Sequence, residues 1–204
     1  MKFVSVLCII LLRWDYIRTV LAPKVFNERP IVGILAQELS TISISYKHNE
    51  KFNSYIAASY VKSIEAAGAR VVPIMIGKSR TYYKNIMRKI NGVLLPGGAA
   101  YFNTSNGYAE AGQHIFELAK TLNDAGDYFP VYGVCLGFEL LISLDLGRDK
   151  DSRIICNSHQ NVPLHFTPGY RQSKMFRNIP TIYQNYCKEN HCLLMLIIHV
   201  LSTK

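Results

Sequence analysis

A cysteine flanked by glycines is the clearest chemical feature of the sequence, which reads Gly-Val-Cys-Leu-Gly over residues 133–137. The apolar residues before Cys135 predict a short buried strand, and the apolar spacing of residues 136–144 predicts a helix. At such a strand-to-helix turn the N–H groups of the helix N-terminus favour a thiolate, and flanking glycines reduce crowding. We therefore predict that Cys135 is a nucleophile. Taken alone, the pattern fits a buried structural cysteine better.

A Pro-Gly-Gly turn is the second feature, at residues 96–98, directly after the apolar run of residues 92–95. Glycines after a strand let backbone N–H groups turn outward and bind an anion. In an acyl-transfer enzyme, Gly97 and Gly98 would supply one half of an oxyanion hole, and the N–H of Leu136 the other half. An ordinary tight turn is the alternative, and an isolated Pro-Gly-Gly more often forms one.

Two kinds of side chain could assist Cys135. Glu139 follows it by one helical turn, which places the carboxylate near the site or beneath it, although an ion pair with a nearby arginine explains Glu139 equally well. The second kind is a histidine that protonates the leaving group. The six histidines are His48, His114, His159, His165, His191 and His199. We expect a solvated His114 and place His165 in a strand over residues 162–166, and we assign the catalytic role to none of the six.

Apolar runs alternate with helical patterns through the middle of the chain. The predicted strands cover residues 31–36, 71–76, 92–95 and 131–134, and the predicted helices cover residues 53–67, 82–90, 110–123 and 136–144. The alternation predicts the α/β class, with a doubly wound, mostly parallel sheet. Both chemical features then lie at the carboxyl ends of strands, where such sheets bind ligands.

Single residues refine these predicted elements. Asn53 is expected to cap the first helix, and Gly68 to end it as the C′ glycine. Pro73 lacks an N–H group and therefore predicts an edge position, or an irregular end, for its strand. The polar, serine-rich residues 37–51 are expected to form a loop.

Composition limits the class of protein. The 204 residues are 49% hydrophobic, which suits one globular domain, and we expect it to cover residues 23–180. The net charge is +9, but the 23 lysines and arginines are dispersed and form no basic run of the kind that binds nucleic acid. A basic surface of this kind suits a polyanionic small molecule.

The N-terminal segment has the character of a secretory signal. Residues 3–12 form an apolar run, interrupted by Arg13, that is too short to cross a bilayer. We predict a signal peptide over residues 1–22, with an ordinary N-terminal helix as the alternative. The sequon at Asn103 fits a secretory route and predicts an exposed, glycosylated asparagine. Residues 181–204 are expected to form a divergent tail.

The sequence resembles the gamma-glutamyl hydrolase family, which has the class I glutamine amidotransferase-like fold. The matching segments are residues 29–37, 54–74, 90–98, 126–141 and 163–176. The strings YIAASYVK and DYFPVYGVCLGFE within them are specific to the family. In this resemblance Cys135 falls on the family nucleophile, and Leu136 and the Gly97-Gly98 turn fall on the oxyanion-hole elements. The family's Gln-Trp-His-Pro-Glu motif is not found, so the chain resembles a C-terminally truncated member.

The resemblance implies a cysteine peptidase that cleaves γ-glutamyl bonds of folyl poly-γ-glutamates without metal or cofactor. It also implies a secreted, lysosomal or vacuolar location, and it leaves a homodimer open. Two other functions stay open. One is a catalytically impaired secreted protein that binds folate polyglutamates. The other is a glutaminase subunit, which the predicted signal peptide disfavours because such subunits are cytosolic.

Overall fold

A computed structural model shows how the central part of the chain is arranged. It describes residues 27–39, 52–147, 165–173 and 176–189. The strands are β1 (Ile31–Leu35), β2 (Gln37–Glu38), β3 (Ser54–Tyr55), β4 (Arg70–Ile74), β5 (Gly92–Leu95) and β6 (Val131–Gly133). The helices are α1 (Ala58–Ala66), α2 (Arg80–Met87), α3 (Tyr108–Asp124), α4 (Leu136–Asp145) and α5 (Thr181–Glu189), with a 3₁₀ turn at Tyr170–Gln172.

Four of the strands form a parallel sheet in the order β4-β1-β5-β6. Successive strands of the chain therefore lie first on one side of β1 and then on the other, which is the doubly wound pattern. The predicted α/β fold with a mostly parallel sheet is confirmed. The strand order reverses between β1 and β5, so the expected ligand crevice lies where these two strands end.

The core consists of apolar side chains from the sheet and from the helices that cover it. Residues of β1 and β5 are buried almost without interruption, as expected for central parallel strands. The fully buried large side chains include Ile34, Leu35, Ile74, Tyr83, Met87, Leu95, Phe102, Tyr108, Ile115, Leu140 and Leu141. Helices α3 and α4 also pack against each other, so the last described strand and its helix are tied to the rest of the domain.

The predicted start of the first helix is wrong. Helix α1 begins after Ala57, and Asn53 does not cap it. Instead Ser54 and Tyr55 are extended and pair with Gln37 and Glu38, which the sequence analysis placed in a loop. The N–H of Leu39 also donates to the carbonyl oxygen of Asn53 at 3.1 Å. The backbone groups that follow β1 therefore take their partners from residues 53–55, which cannot then be helical.

Other predicted features agree with the structure. Gly68 follows α1 with φ +88°, as a C′ glycine does. Strand β4 lies at the edge of the sheet, which agrees with Pro73 inside it. The bounds of two helices differ from the prediction: α2 and α3 each begin two residues early, at Arg80 and Tyr108, and α2 ends at Met87 rather than at residue 90.

Some predictions lie outside the described residues. They concern the signal peptide over residues 1–22, the end of the tail beyond residue 189, most of the strand over residues 162–166, and four histidines, which are His48, His159, His191 and His199. The start of the predicted tail forms α5. Among the described helices, none combines the length and the apolarity that crossing a bilayer requires.

Candidate active site

Cys135 occupies a sharp turn between β6 and α4. It is the N-cap residue of α4, and its backbone has φ 49° and ψ −110°. This region is unfavourable for a residue with a side chain, and it costs of the order of 1–3 kcal/mol. The cysteine is free and half-buried. A strained residue at the N-terminus of a helix that follows a buried strand is the geometry of a nucleophile elbow.

Glycines allow the elbow to pack closely against the sheet. A Cβ atom at Gly133 would lie 2.6 Å from the carbonyl oxygen of Gly137. A Cβ atom at Gly137 would lie 2.1 Å from the carbonyl oxygen of Leu95, at the end of β5. Both contacts are with backbone, which cannot move aside as a flexible side chain can. The helix N-terminus can therefore approach the strand ends only because these two positions lack side chains.

The Pro-Gly-Gly turn after β5 touches the elbow after β6. A Cβ atom at Gly97 would lie 3.0 Å from the Cβ of Cys135 and 3.3 Å from the carbonyl oxygen of Val134. The N–H of Val134 donates to the carbonyl oxygen of Leu95 at 3.0 Å, which extends the pairing of the two strands up to the elbow. The structure thus brings together the two features that the sequence analysis singled out separately.

Two side chains hold the carbonyl groups of this turn, and we call them the carbonyl clamp. The side-chain amide of Gln37 donates to the carbonyl oxygens of Pro96 at 3.0 Å and Gly97 at 3.1 Å. The hydroxyl of Tyr108 donates to the same Pro96 oxygen at 2.8 Å. The hydroxyl of Tyr55 in turn donates to the Gln37 amide oxygen at 3.2 Å. Gln37 and Tyr108 are both almost fully buried, so the clamp works without competition from water.

The carbonyl clamp determines where the N–H groups of the turn point. No cis peptide bond occurs among the described residues, and in a trans peptide the C=O and N–H point in opposite directions. Because the Pro96 and Gly97 carbonyls face Gln37, the N–H groups of Gly97 and Gly98 face away from it. The Gly97 N–H donates to the hydroxyl of Tyr60 at 2.9 Å. None of the described residues accepts a hydrogen bond from the Gly98 N–H.

The buried residue Glu38 fixes the start of α3, which carries the clamp residue Tyr108. The N–H of Tyr108 donates to the carboxylate of Glu38 at 2.6 Å, at the start of α3. A carboxylate is favourable at a helix N-terminus, and here it fixes the first residue of the helix. Burial raises the pKa of Tyr108 well above its ordinary value, so its hydroxyl stays protonated and remains a donor to Pro96.

The remaining predicted residues lie at different distances from the turn. Leu136 is the first residue of α4, so its N–H belongs to the first helical turn, where donors lack partners within the helix. Glu139 is exposed one turn further on, and its N–H donates to the Cys135 carbonyl oxygen at 3.0 Å. Asn103 is exposed in the connection between β5 and α3, as a glycosylation site requires.

The described histidines do not lie in the elbow. His114 was expected to be solvated, but it is half-buried, with its ring centroid 5.5 Å from that of Tyr83 and its Nδ1 3.4 Å from Nη1 of Arg80. These neighbours belong to α2, so the helix–helix contact accounts for its burial. His165 is exposed. Among the described residues, no three His, Cys, Asp or Glu side chains form a group that could hold a metal ion.

A cavity of about 730 Å³ lies beside the clamp, at the carboxyl ends of β1 and β4. Its lining residues are Glu38, Leu39, Phe52, Asn53, Ile76, Gly77, Lys78 and Asn106. The lining combines the aromatic residue Phe52, the amide residues Asn53 and Asn106, and two residues of opposite charge, Lys78 and Glu38. A cavity of this size and chemistry could hold part of a ligand that carries carboxylates.

Sequence reasoning did not identify Gln37, Tyr55, Tyr60 or Tyr108 as site residues. One signal for Gln37 was present, because it is the first polar residue after the buried strand β1 and so lies at the carboxyl edge of the sheet. The three tyrosines carry no such signal. The hydroxyls of Tyr60 and Tyr108 reach the turn, and that of Tyr55 reaches Gln37, only through the folded arrangement of β3, α1 and α3.

The chain is similar in sequence to known proteins. The peptidase C26 family model matches residues 30–149. The chain is 46% identical over 155 residues to the gamma-glutamyl hydrolase of Mus musculus, covering 76% of this chain and 47% of that protein. It is 40% identical over 156 residues to the gamma-glutamyl hydrolase of Homo sapiens, with 76% of this chain and 46% of that protein covered. The chain thus spans about half the length of the curated relatives it matches.

Proposed function

The chain belongs to the peptidase C26 family, and we propose that it supplies the nucleophile and the oxyanion hole of a hydrolase that cleaves γ-glutamyl bonds of folyl poly-γ-glutamates. One observation carries the proposal. The strained Cys135, at a helix N-terminus, lies against a glycine turn whose carbonyls are held by a buried clamp. This arrangement suits acyl transfer, because it places a thiol beside N–H groups that are oriented before a substrate arrives.

The mechanism follows from these positions. The Cys135 thiolate attacks the γ-amide carbonyl carbon, a C–S bond forms, and the π electrons move onto the carbonyl oxygen. The N–H groups of Leu136 and Gly98 stabilise that oxyanion. The tetrahedral intermediate collapses, the C–N bond breaks, and a general acid protonates the departing glutamate nitrogen. Water then hydrolyses the thioester and releases Cys135. We assign the general acid to no described residue.

Charge supports a polyanionic substrate. A poly-γ-glutamate tail carries one carboxylate per residue and one more at its end, and the chain has a net charge of +9. Lys78, one of the positively charged residues, lines the cavity beside the clamp. We therefore propose that the cavity receives a carboxylate-bearing part of the substrate. We also propose a secreted or lysosomal protein, glycosylated at Asn103, because that residue is exposed and the N-terminal segment resembles a signal.

Turnover of a folyl penta-γ-glutamate, followed by chromatography of the released products, tests this function. We expect Cys135→Ala to abolish hydrolysis and to leave substrate binding within about twofold, since the substitution removes only the sulfur that forms a bond in the reaction. Cys156→Ala, which removes the sulfur of another cysteine in the sequence, is the matched control and should retain the rate. Hydrolysis that persists in the Cys135→Ala protein would overturn the mechanism. Binding without turnover by the unchanged protein would favour a binding function.

A further inference from the structure

The hydroxyl of Tyr60 lies at the turn beside the nucleophile. Tyr60 is a half-buried residue of the first turn of α1, and its oxygen accepts the N–H of Gly97 at 2.9 Å. A phenol has one hydrogen to donate and also accepts hydrogen bonds. Tyr60 acts as the acceptor in its bond with Gly97, so this bond does not use the hydroxyl hydrogen. None of the described residues accepts that hydrogen, which therefore remains available for a ligand.

Tyr60 and Cys135 approach the same point in space. A Cβ atom built on Gly97 would lie 2.9 Å from the Tyr60 hydroxyl oxygen and 3.0 Å from the Cys135 Cβ. The absence of a side chain at Gly97 therefore keeps open a small space that both groups border. A carbonyl carbon bonded to the sulfur of Cys135 would place its oxygen within reach of donors around this space.

We propose that the Tyr60 hydroxyl donates a hydrogen bond to the oxyanion of the tetrahedral intermediate, together with the N–H groups of Gly98 and Leu136. The Gly97 N–H, which the sequence predicts as a direct donor, acts through Tyr60 by fixing the direction of its hydroxyl. No proton is transferred in this step. The inference rests on the proposed acyl-transfer function and adds a side-chain donor to it.

A structural role for Tyr60 makes a different prediction from a catalytic one. If the hydroxyl only held the turn in place, its removal would act through the direction of the Gly98 N–H, and it would weaken the tetrahedral adduct no further in a protein whose turn Gln37→Leu has already loosened. If it donates to the oxyanion, its removal weakens the tetrahedral adduct selectively in both proteins, because the charge on oxygen develops only there. Ligands with and without a tetrahedral centre show whether the loss is selective, and the Gln37→Leu protein separates the two roles.

The chain offers a matched control. Tyr82 of α2 accepts the N–H of Met75 at 3.1 Å, so it also receives a backbone N–H on its hydroxyl. Met75 directly follows β4, which is separated from β6 by two strands of the sheet. Tyr82→Phe removes the same atom from the same kind of hydrogen bond, away from Cys135.

The test uses two pteroyl ligands. One is a pteroyl derivative whose glutamate γ-carboxyl is replaced by an aldehyde, which forms a thiohemiacetal with Cys135. In that adduct a C–S bond forms, the C=O π bond breaks, and the thiol proton ends on the former carbonyl oxygen, which occupies the place of the oxyanion. The other is pteroylglutamic acid, which has no tetrahedral centre. Dissociation constants of both are measured for the unchanged protein, for the Tyr60→Phe, Tyr82→Phe, Cys135→Ala and Gln37→Leu variants, and for the double variant that combines Gln37→Leu with Tyr60→Phe.

We expect Tyr60→Phe to weaken the aldehyde at least about tenfold and pteroylglutamic acid by less than about twofold. Tyr82→Phe should change neither, and Cys135→Ala should remove the aldehyde's advantage. The loss for the aldehyde should persist when Tyr60→Phe is added to Gln37→Leu. Equal losses for both ligands, no loss for the aldehyde, or no further loss in the double variant would overturn the role of Tyr60. A failure of the unchanged protein to form the aldehyde adduct would overturn the proposed function, and the Tyr60 role with it.

Discussion

Two strand-to-helix connections meet at the candidate site, and they are held by different forces. The elbow after β6 depends on close packing, since Gly133 and Gly137 bring backbone against backbone around a strained Cys135. The turn after β5 depends on hydrogen bonds, which Gln37 and Tyr108 donate from buried positions. Close packing thus fixes the position of Cys135, whereas the direction of the N–H groups in the glycine turn depends on polar partners.

Disrupting the close packing at the elbow should give the largest loss of stability. Gly137→Ala would put a Cβ atom 2.1 Å from the Leu95 carbonyl oxygen, so the backbone must shift. We expect a loss of about 3 kcal/mol or more in the free energy of unfolding, measured with urea. Gly68→Ala is the control, because Gly68 has φ +88° and no atom within 4 Å of an added Cβ. It should cost only about 1 kcal/mol, and equal losses would refute the packing argument.

Removing the hydrogen bonds that Gln37 donates in the carbonyl clamp should lower activity as well as stability. Gln37→Leu leaves the Gly97 carbonyl without its donor and the Pro96 carbonyl with Tyr108 alone. We expect a loss of about 2 kcal/mol in stability and a lower kcat with little change in KM, because the oxyanion donors lose their fixed direction. Gln113→Leu, on the outer part of α3, is the control. A loss of stability with unchanged kcat would mean that the clamp serves folding alone.

Relieving the backbone strain at Cys135 should raise the free energy of unfolding. Cys135→Gly places glycine at φ 49°, where it is tolerated, whereas Cys135→Ala keeps the strain. We expect the glycine variant to be about 1 kcal/mol more stable than the alanine variant in urea unfolding, with both inactive. If the alanine variant were the more stable of the two, the backbone at residue 135 would not be strained.

The exposed ion pair between Arg80 and Glu117 lies outside both turns and provides a weaker interaction for comparison. Burial alone would raise the pKa of Glu117, but hydrogen bonds from Arg80 and Gln113 and nearby positive charge hold that pKa below its ordinary value of 4.5. A carboxylate with a depressed folded-state pKa contributes stability above its unfolded pKa and loses that contribution as pH falls through the folded pKa.

The expected size of this contribution is small. Both partners of the pair are exposed by more than two-fifths, at 49% and 43%, so the pair is worth a few tenths of a kcal/mol. The difference in unfolding free energy between the protein and Glu117→Gln should be present at neutral pH and should shrink as the pH is lowered below 4.5. A difference that grows on acidification would contradict the sign of the shift.

The elbow could be predicted from the sequence because its determinants are local. Gly133, Cys135 and Gly137 lie within five positions, and the change from strand to helix spacing occurs at the cysteine itself. The parallel sheet follows from the alternation of elements in the same way. Even the edge position of β4 could be predicted, since Pro73 lacks the N–H group that a central strand would need.

The carbonyl clamp could not be predicted, because its determinants are distant in sequence. Within the clamp, Gln37 lies 59 and 60 positions from its two carbonyl partners, and Tyr108 lies 12 positions from Pro96. Outside the clamp, Tyr60 lies 37 positions from Gly97. The β2–β3 pairing has two residues in each strand, which is too short to show a periodic pattern. For that reason the sequence analysis assigned Asn53 as a helix cap, although Ser54 and Tyr55, which follow it, form a strand.

The central claim is that Cys135 accepts the acyl group of a γ-glutamyl bond at the point where the two turns meet. Its most direct test is mass spectrometry of the protein quenched with acid during exposure to a folyl penta-γ-glutamate, followed by digestion. We predict a pteroyl-containing acyl group attached as a thioester to the peptide that carries Cys135, and its absence in the Cys135→Ala protein. Hydrolysis that proceeds with the acyl group on another residue, or with Cys135 unmodified throughout, would contradict the account.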